Sequence, residues 1–575
     1  MKFPFSVLVI SSLLLAGCGK DDSEAPDSSP TAAPQAARSL PAAAGEHFLG
    51  RVDADAALVY ANLQRMPQDV VDQAWQINEM SMASARSMLE QMAEAEEMPA
   101  FGRALLERAA SLTSREGWEA AGLHANPMVA LHSVGVFPFA ELETGDDDAV
   151  ARLISEIEQD LEQSLEQSLD RRDIDGVEVL WLGLGDHFGL ALRHGGGSLT
   201  AAIIPDAAEM LARVAGRVDP VDAMQPATLQ AFNTDHGFLP AGSGYVDWQR
   251  LVAILMAEDN PLLAMDDDGE LQNVIGNPAC VAEYRAFAAA LPRLAFGYTG
   301  LSTQQQDFLI RQELSSPWAA DLARVARAPV TLNRPLTGIF NFGLAFDLLA
   351  GRDFARKLVG GWVANPPACP SLRGIAEGAP AWQQALNQPI PPMVTNLHGL
   401  FLEGFSLDFQ AGDVPEFGGI LAFHMNNPQL LVGMAQMFSP AAAALQLQPG
   451  GEAQRVPPDA VPQLQNMNLD LWMAMGQSAL GVAFGQDHVE SVRQALSRTE
   501  PDDLLMSAQF DFDILLEVMD FALGTLEDMV DEDQLQDLEL QRAQYQVLAE
   551  MYDKAAVRVR LSERGIDFIS ENTLR

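Results

Sequence analysis

A pattern that this chain carries twice constrains its fold more than any other feature. Residues 198–217 read SLTAAIIPDAAEMLARVAGR and residues 479–498 read ALGVAFGQDHVESVRQALSR. In each, a β-type run enters an Asp followed three residues later by Glu, Asp206 with Glu209 and Asp487 with Glu490. Apolar positions then recur at helical spacing. The pattern predicts strand, cap and helix, with the carboxylates satisfying early helix N–H groups. Four weaker pairs follow in the same order: 58–75 with 338–359, 134–158 with 418–438, 244–255 with 508–519, and 293–314 with 557–574. The offset drifts from about 280 to about 260 without reversing, as expected of a duplicated unit with insertions. Residues 45–328 and 329–575 are therefore expected to form two halves of one design. Hairpin signals, at Gly185-Asp186 and Gly195-Gly196-Gly197, interrupt the strand–helix alternation. The expected class is α+β, with mostly antiparallel sheets covered by helices.

The halves differ in their filling. The first carries a Met-rich helical block from Asp69 to Ala121, with Met80, Met82, Met88, Met92 and Met98. Methionine suits adaptable binding surfaces, while a bundle core or a cover over the sheet is the plainer role. A stripe through Leu153, Ile157, Leu161, Leu165 and Leu169 predicts one amphipathic helix packed on its own sheet. The second half has Pro-rich passages, Pro366 to Pro392 and Pro449 to Pro462, expected to be surface loops.

The amino end carries Lys2, an apolar run from Phe3 to Leu15, and then Leu15-Ala16-Gly17-Cys18. Thirteen residues are too few for a bilayer crossing, which takes roughly 20. The segment resembles a bacterial lipoprotein signal. That resemblance implies removal of residues 1–17 and acylation of Cys18, with attachment to the outer membrane facing the periplasm. Two or three acyl chains make such an anchor effectively permanent. Residues 18–44, rich in Ser, Pro, Ala and Asp, are expected to be a disordered tether.

With Cys18 taken by lipid, Cys280 and Cys369 remain as a possible disulfide in an oxidising compartment. The alternative is two buried free thiols. The chain has 79 Asp plus Glu against 35 Lys plus Arg, a formal net charge of −44. Such a surface repels phosphate backbones, which argues against nucleic-acid binding.

Candidate catalytic patterns fail on inspection. Gly242-Ser243-Gly244 lacks the glycine two residues before the serine that a nucleophile elbow needs. Asp186-His187 and Asp487-His488 read as a turn and a helix start. Asp266-Asp267-Asp268-Gly269-Glu270 is similar to a calcium loop, but Ala264 and Ile275 stand where ligands are required. Asp146-Asp147-Asp148 suits a helix amino terminus. No catalytic, metal or cofactor residue is assigned.

FLPAGSGYVDWQRLVAIL and its diverged relatives in the chain resemble uncharacterised, internally duplicated bacterial envelope proteins, a likeness that carries no activity to transfer. The leading expectation is a non-enzymatic, lipid-anchored, periplasm-facing protein for protein interaction or envelope organisation. Alternatives are a carrier for an apolar ligand such as a lipid, and a hydrolase whose site assembles only in three dimensions.

Overall fold

A computed structural model describes residues 46–79, 110–165, 169–184, 187–265, 269–408, 416–438, 445–457, 470–526 and 548–575, with Arg108, Leu538, Arg542, Tyr545 and Gln546. Residues 1–45, where a signal segment and a tether with Cys18 are expected, most of the Met-rich block and Asp266–Asp268 lie outside the described residues. The first half contributes β1 (Leu58–Ala61), β2 (Val129–Val134), β3 (Phe137–Glu143), β4 (Asp170–Ile174), β5 (Val177–Gly183), β6 (Phe188–His194), β7 (Ser198–Pro205), β8 (Ser243–Asp247), β9 (Arg293–Leu301) and β10 (Gln305–Glu313). The second contributes β11 (Phe340–Ala345), β12 (Leu397–Asp408), β13 (Glu416–Met425), β14 (Gln454–Arg455), β15 (Leu471–Met475), β16 (Ala479–Phe484), β17 (Leu504–Asp511), β18 (Tyr552–Ser562) and β19 (Gly565–Leu574).

The class is α+β, and all pairings among the described strands are antiparallel. The nineteen strands form one continuous sheet rather than separate ones. Across it the order is β4, β5, β6, β7, β3, β2, β1, β8, β9, β10, β19, β18, β17, β11, β12, β13, β16, β15, β14. Both halves end in a hairpin, and the last strand of each pairs with that of the other, which fuses the two into one sheet. At this seam Leu309 faces Ile569, with Arg311 opposite Asp567 on one side and Asp307 opposite Glu571 on the other.

Helices cover both faces toward each end. Helix Asp147–Leu165 lays Val150 and Ile154 against Leu180, Leu192 and Leu199, while helix Ala208–Val214 lays Leu211 and Val214 against Phe139, Ala191 and Ala202 on the opposite face. At the far end, helix Pro428–Phe438 packs against Phe423, Met475 and Leu480, and helix Val489–Ser497 against Phe401, Ile420 and Ala483 on the other side. These cores are alternate strand residues meeting an apolar helix stripe, the ordinary layered solution for a two-faced sheet.

Local chemistry differs from the sequence expectation in two places. Asp206 and Asp487 do not cap their helices. The residues before the two helices are Ala207 and His488, neither making a side-chain cap bond, and Asp206 instead accepts from both terminal nitrogens of Arg172, at 2.5 and 3.1 Å. A paired guanidinium is a stronger partner for that carboxylate than an amide N–H. Second, neither Pro-rich passage is all loop, because Gln454–Arg455 in the later one is the edge strand β14, and in Pro366–Pro392 the stretch Arg373–Asn387 is a helix with Pro380 inside it. It packs against helix Leu348–Ala364, with Trp382 and Trp362 ring centroids 6.1 Å apart. Tertiary packing there overrides the local cost of one proline.

The sulfurs of Cys280 and Cys369 are 2.03 Å apart, a disulfide between the first turn of helix Pro278–Ala290 and the residue preceding the short turn Pro370–Leu372. Glu283 holds the second cysteine by accepting from the N–H groups of Ala368 and Cys369, at 2.6 and 3.1 Å.

Candidate functional site

Because side chains alternate across a strand, the strand registers sort the sheet into two faces. One face carries an unbroken apolar row that crosses seventeen strands. It runs Leu180, Leu192, Ala201, Ala140, Leu131, Tyr60, Gly244 and Phe296 in the first half. It continues Ile310, Phe568, Val559, Met506, Leu344, Leu400, Phe423, Leu480 and Met475, each directly opposite the next. The helices Asp147–Leu165 and Pro428–Phe438 cover its two ends. Its centre is open: Ile310 is 36% exposed, Phe568 47%, and neighbouring Val557 40%. Gly244 has a specific place in the row. A Cβ there would lie 2.2 Å from the Val59 carbonyl oxygen, and without one Tyr60 and Phe296 stack past it with centroids 6.1 Å apart. Scattered apolar residues on a surface need no explanation, whereas a contiguous exposed patch does.

The opposite face holds the charges. At the seam Arg311 donates to both Asp567 oxygens, at 2.6 and 2.8 Å, in a buried ion pair. Farther out, between the sheet and the end of helix Ala208–Val214, lies a cavity of about 310 Å³. Its walls include Arg51, Arg193, Arg213 and Arg217, together with His132 and Glu141. Strand register builds the floor, because Glu141 stands opposite Thr200, which in turn stands opposite Arg193. Arg51 enters from the turn after helix Glu46–Leu49 and donates to Glu141 at 2.8 Å, and the Thr200 hydroxyl donates to the same oxygen at 2.9 Å.

Burial pushes the Glu141 carboxyl upward, opposed by Arg51, and lowers Arg193, helped by the charge of Arg51. His132 is 1% exposed and stacks on Phe139 at 5.4 Å. Burial first, and then Arg213, hold its imidazole down at about 4, so it is neutral at pH 7. Neither ring nitrogen meets the geometry of a hydrogen bond, although the Ser133 backbone lies close enough to oppose that shift.

The residues singled out in the sequence gather elsewhere. Cys280 and Cys369 join each other, and Cys18 lies outside the described residues. Ser243 is fully buried in β8 and donates to Asn233 at 2.6 Å, the role of a core hydroxyl. His488 stacks on Phe405 at 4.7 Å, and Asp146 accepts from the Asp148 and Ala149 N–H groups at a helix start. No cluster of three His, Cys, Asp or Glu placed to hold a metal ion occurs among the described residues. None of their helices is long and apolar enough to cross a membrane.

Sequence reasoning missed both the apolar row and the four arginines. The row has a signal in strands such as Phe340-Asn341-Phe342-Gly343-Leu344-Ala345, where large apolar residues take one face and small or polar ones the other. The arginines have none, since they come from four separate segments. No protein-family model matches this chain, no curated protein matches it in sequence, and no solved structure matches it in fold.

Proposed function

We propose that this chain is a lipid-anchored, periplasm-facing envelope protein that acts by binding rather than catalysis, using the open centre of its sheet to engage an apolar surface of a partner protein. The observation that carries this reading is the apolar row, uninterrupted through the seam and exposed at Ile310 and Phe568 in a chain of net charge −44. A protein this acidic stays in solution by self-repulsion, so an open apolar strip on it marks a contact rather than a solubility accident. Acylation at Cys18, followed by the tether to residue 44, would keep that strip near the membrane without pressing it there.

The halves are read as two copies of one unit. Support comes from the strand order, which reads 9, 8, 1, 2, 3, 7, 6, 5 outward from the seam on one side and 18, 17, 11, 12, 13, 16, 15, 14 on the other. Helices follow β3, β7 and β8 as they follow β13, β16 and β17. The repeat gives a reason for the length of the row, because fusing two units through their last strands joins two apolar faces into one.

A second reading, a carrier for an apolar ligand such as a lipid, is favoured by the row's continuity, since an acyl chain needs no polar group along its path. One experiment separates the two. A photoreactive phenylalanine replaces Phe568 in the full chain, and the envelope is irradiated. A protein adduct supports the partner reading, and an adduct of lipid mass supports the carrier. Crosslinking confined to the chain's own Met80–Met98 stretch means that the strip is an internal contact and refutes both.

A further inference from the structure

We infer that the cavity beneath helix Ala208–Val214 is a binding site for a compact organic dianion, a phosphomonoester or a short dicarboxylate, held by Arg193, Arg213 and Arg217 with His132 at its floor. Charge is the first ground. The lining carries four guanidinium groups against two carboxylates, Glu141 and the rim residue Asp219. Asp53 supplies a third carboxylate, paired with Arg213 at 3.2 Å, so the formal surplus is one positive charge before the burial that raises Glu141 toward its neutral form is counted. A positive surplus remains inside a protein with 44 more formal negative charges than positive. Buried charge of one sign is costly unless a counter-charge completes it.

The second ground is unspent hydrogen bonding. A guanidinium has five N–H donors. Arg193 uses its terminal nitrogens on Ser198 and the Gly195 carbonyl, both at 3.2 Å, and leaves Nε buried without a partner. Arg213 leaves Nη1 buried and unpaired, and neither ring nitrogen of the buried His132 makes a hydrogen bond of good geometry, the Ser133 backbone being a close polar neighbour. Unpaired buried donors are uncommon in native proteins, and several converging on one cavity describe an acceptor that fits there. A neutral imidazole can donate one N–H to an anion oxygen while a guanidinium clamps another.

Size is the third ground. About 310 Å³ holds roughly a dozen non-hydrogen atoms at protein packing density. Apolar walls from Val134, Phe139 and Val177 leave room for a small organic body beside the charged group.

The second half shows the same place closed. Through the registers, the positions of His132, Glu141 and Thr200 correspond to Glu403, Ala422 and Gly481. Arg334, which like Arg51 comes from the segment ahead of the half's first strand, lies 4.0 Å over the Phe401 ring and is 5% exposed. It donates to the carbonyls of Thr331 and Ala495, and Val492 fills the space above Gly481. The same scaffold can thus be packed solid, so the arginine cavity is a departure from it.

The test is isothermal titration of the full chain in detergent micelles at low ionic strength, with phenyl phosphate, succinate and, as the neutral control, benzyl alcohol. One saturable site is expected for phenyl phosphate, succinate or both, which also distinguishes the two anion chemistries, and none for benzyl alcohol. R193Q should weaken binding at least tenfold. R217Q, on an exposed residue where folding is not at stake, should weaken it three- to tenfold, and R356Q in the other half should leave it unchanged. Absence of saturation by either anion at 10 mM overturns the assignment. So does binding that R193Q and R217Q leave untouched, or benzyl alcohol binding as tightly as phenyl phosphate.

Discussion

Replacing Asp307 with asparagine tests the electrostatics of the seam. Asp307 on β10 stands directly opposite Glu571 on β19, and like charges across a strand pair destabilise it. Half-burial first, and then Glu571, push the Asp307 carboxyl from its ordinary 3.8 up to about 6. One oxygen accepts from Gln305 at 2.8 Å, while the other is buried without a partner. A folded-state pKa above the unfolded one means that the native protein binds this proton more tightly. Stability therefore falls as pH rises from 3.8 to about 6 and stays reduced above. The rise corresponds to about 3 kcal/mol, and solvent screening of a half-exposed group reduces that to ~1–2 kcal/mol. D307N removes the charge, so it should stabilise the protein by ~1–2 kcal/mol at pH 7.5. About one third of the gain should remain at pH 4.5, and none near pH 3. Urea unfolding of wild type and variant, followed across this pH range at unchanged slope, measures it. A variant no more stable than wild type at pH 7.5, or a gain that persists at low pH, would refute the reasoning.

Other substitutions probe the remaining links. D567A strands Arg311 as a buried unpaired charge and should cost about 3–5 kcal/mol by the same assay, whereas replacing both partners with leucine should cost far less. Reducing the Cys280–Cys369 bond, which closes 89 residues, or mutating both cysteines to serine, should lower stability by up to about 4.5 kcal/mol. Reductant should then have no further effect on the double serine variant. The pair I310S and F568S, both on the open strip, should change stability by less than about 1 kcal/mol. It should nonetheless abolish partner capture by a photoreactive phenylalanine placed at the neighbouring exposed Val557, and reduce binding of an apolar dye.

Much of the architecture was legible because strand and helix periodicities are local. The five segment pairs read from the sequence fall on strands β1 and β11, β3 and β13, β7 and β16, β8 and β17, and the closing hairpins β9–β10 and β18–β19. The errors had physical causes. Asp206 had the spacing of a cap, but an arginine 34 residues away on β4 outcompeted the helix for it. The helix through Pro380 formed because Trp382 had an indole on a neighbouring helix to meet. Neither competitor is visible within a local window.

The sequence by itself determined the alternation that makes two-faced strands, the helix stripes that cover them, the acidic surface and the availability of Cys280 and Cys369 as a possible pair. These follow from composition and from spacings of a few residues, which any local window contains. Tertiary structure alone decided that β10 and β19 would pair, making one sheet of two halves and one apolar row of two faces. It also decided that arginines from positions 51, 193, 213 and 217 would share a cavity. Register between distant strands depends on which side chains meet across the sheet, and no stretch of chain shorter than the whole contains that information.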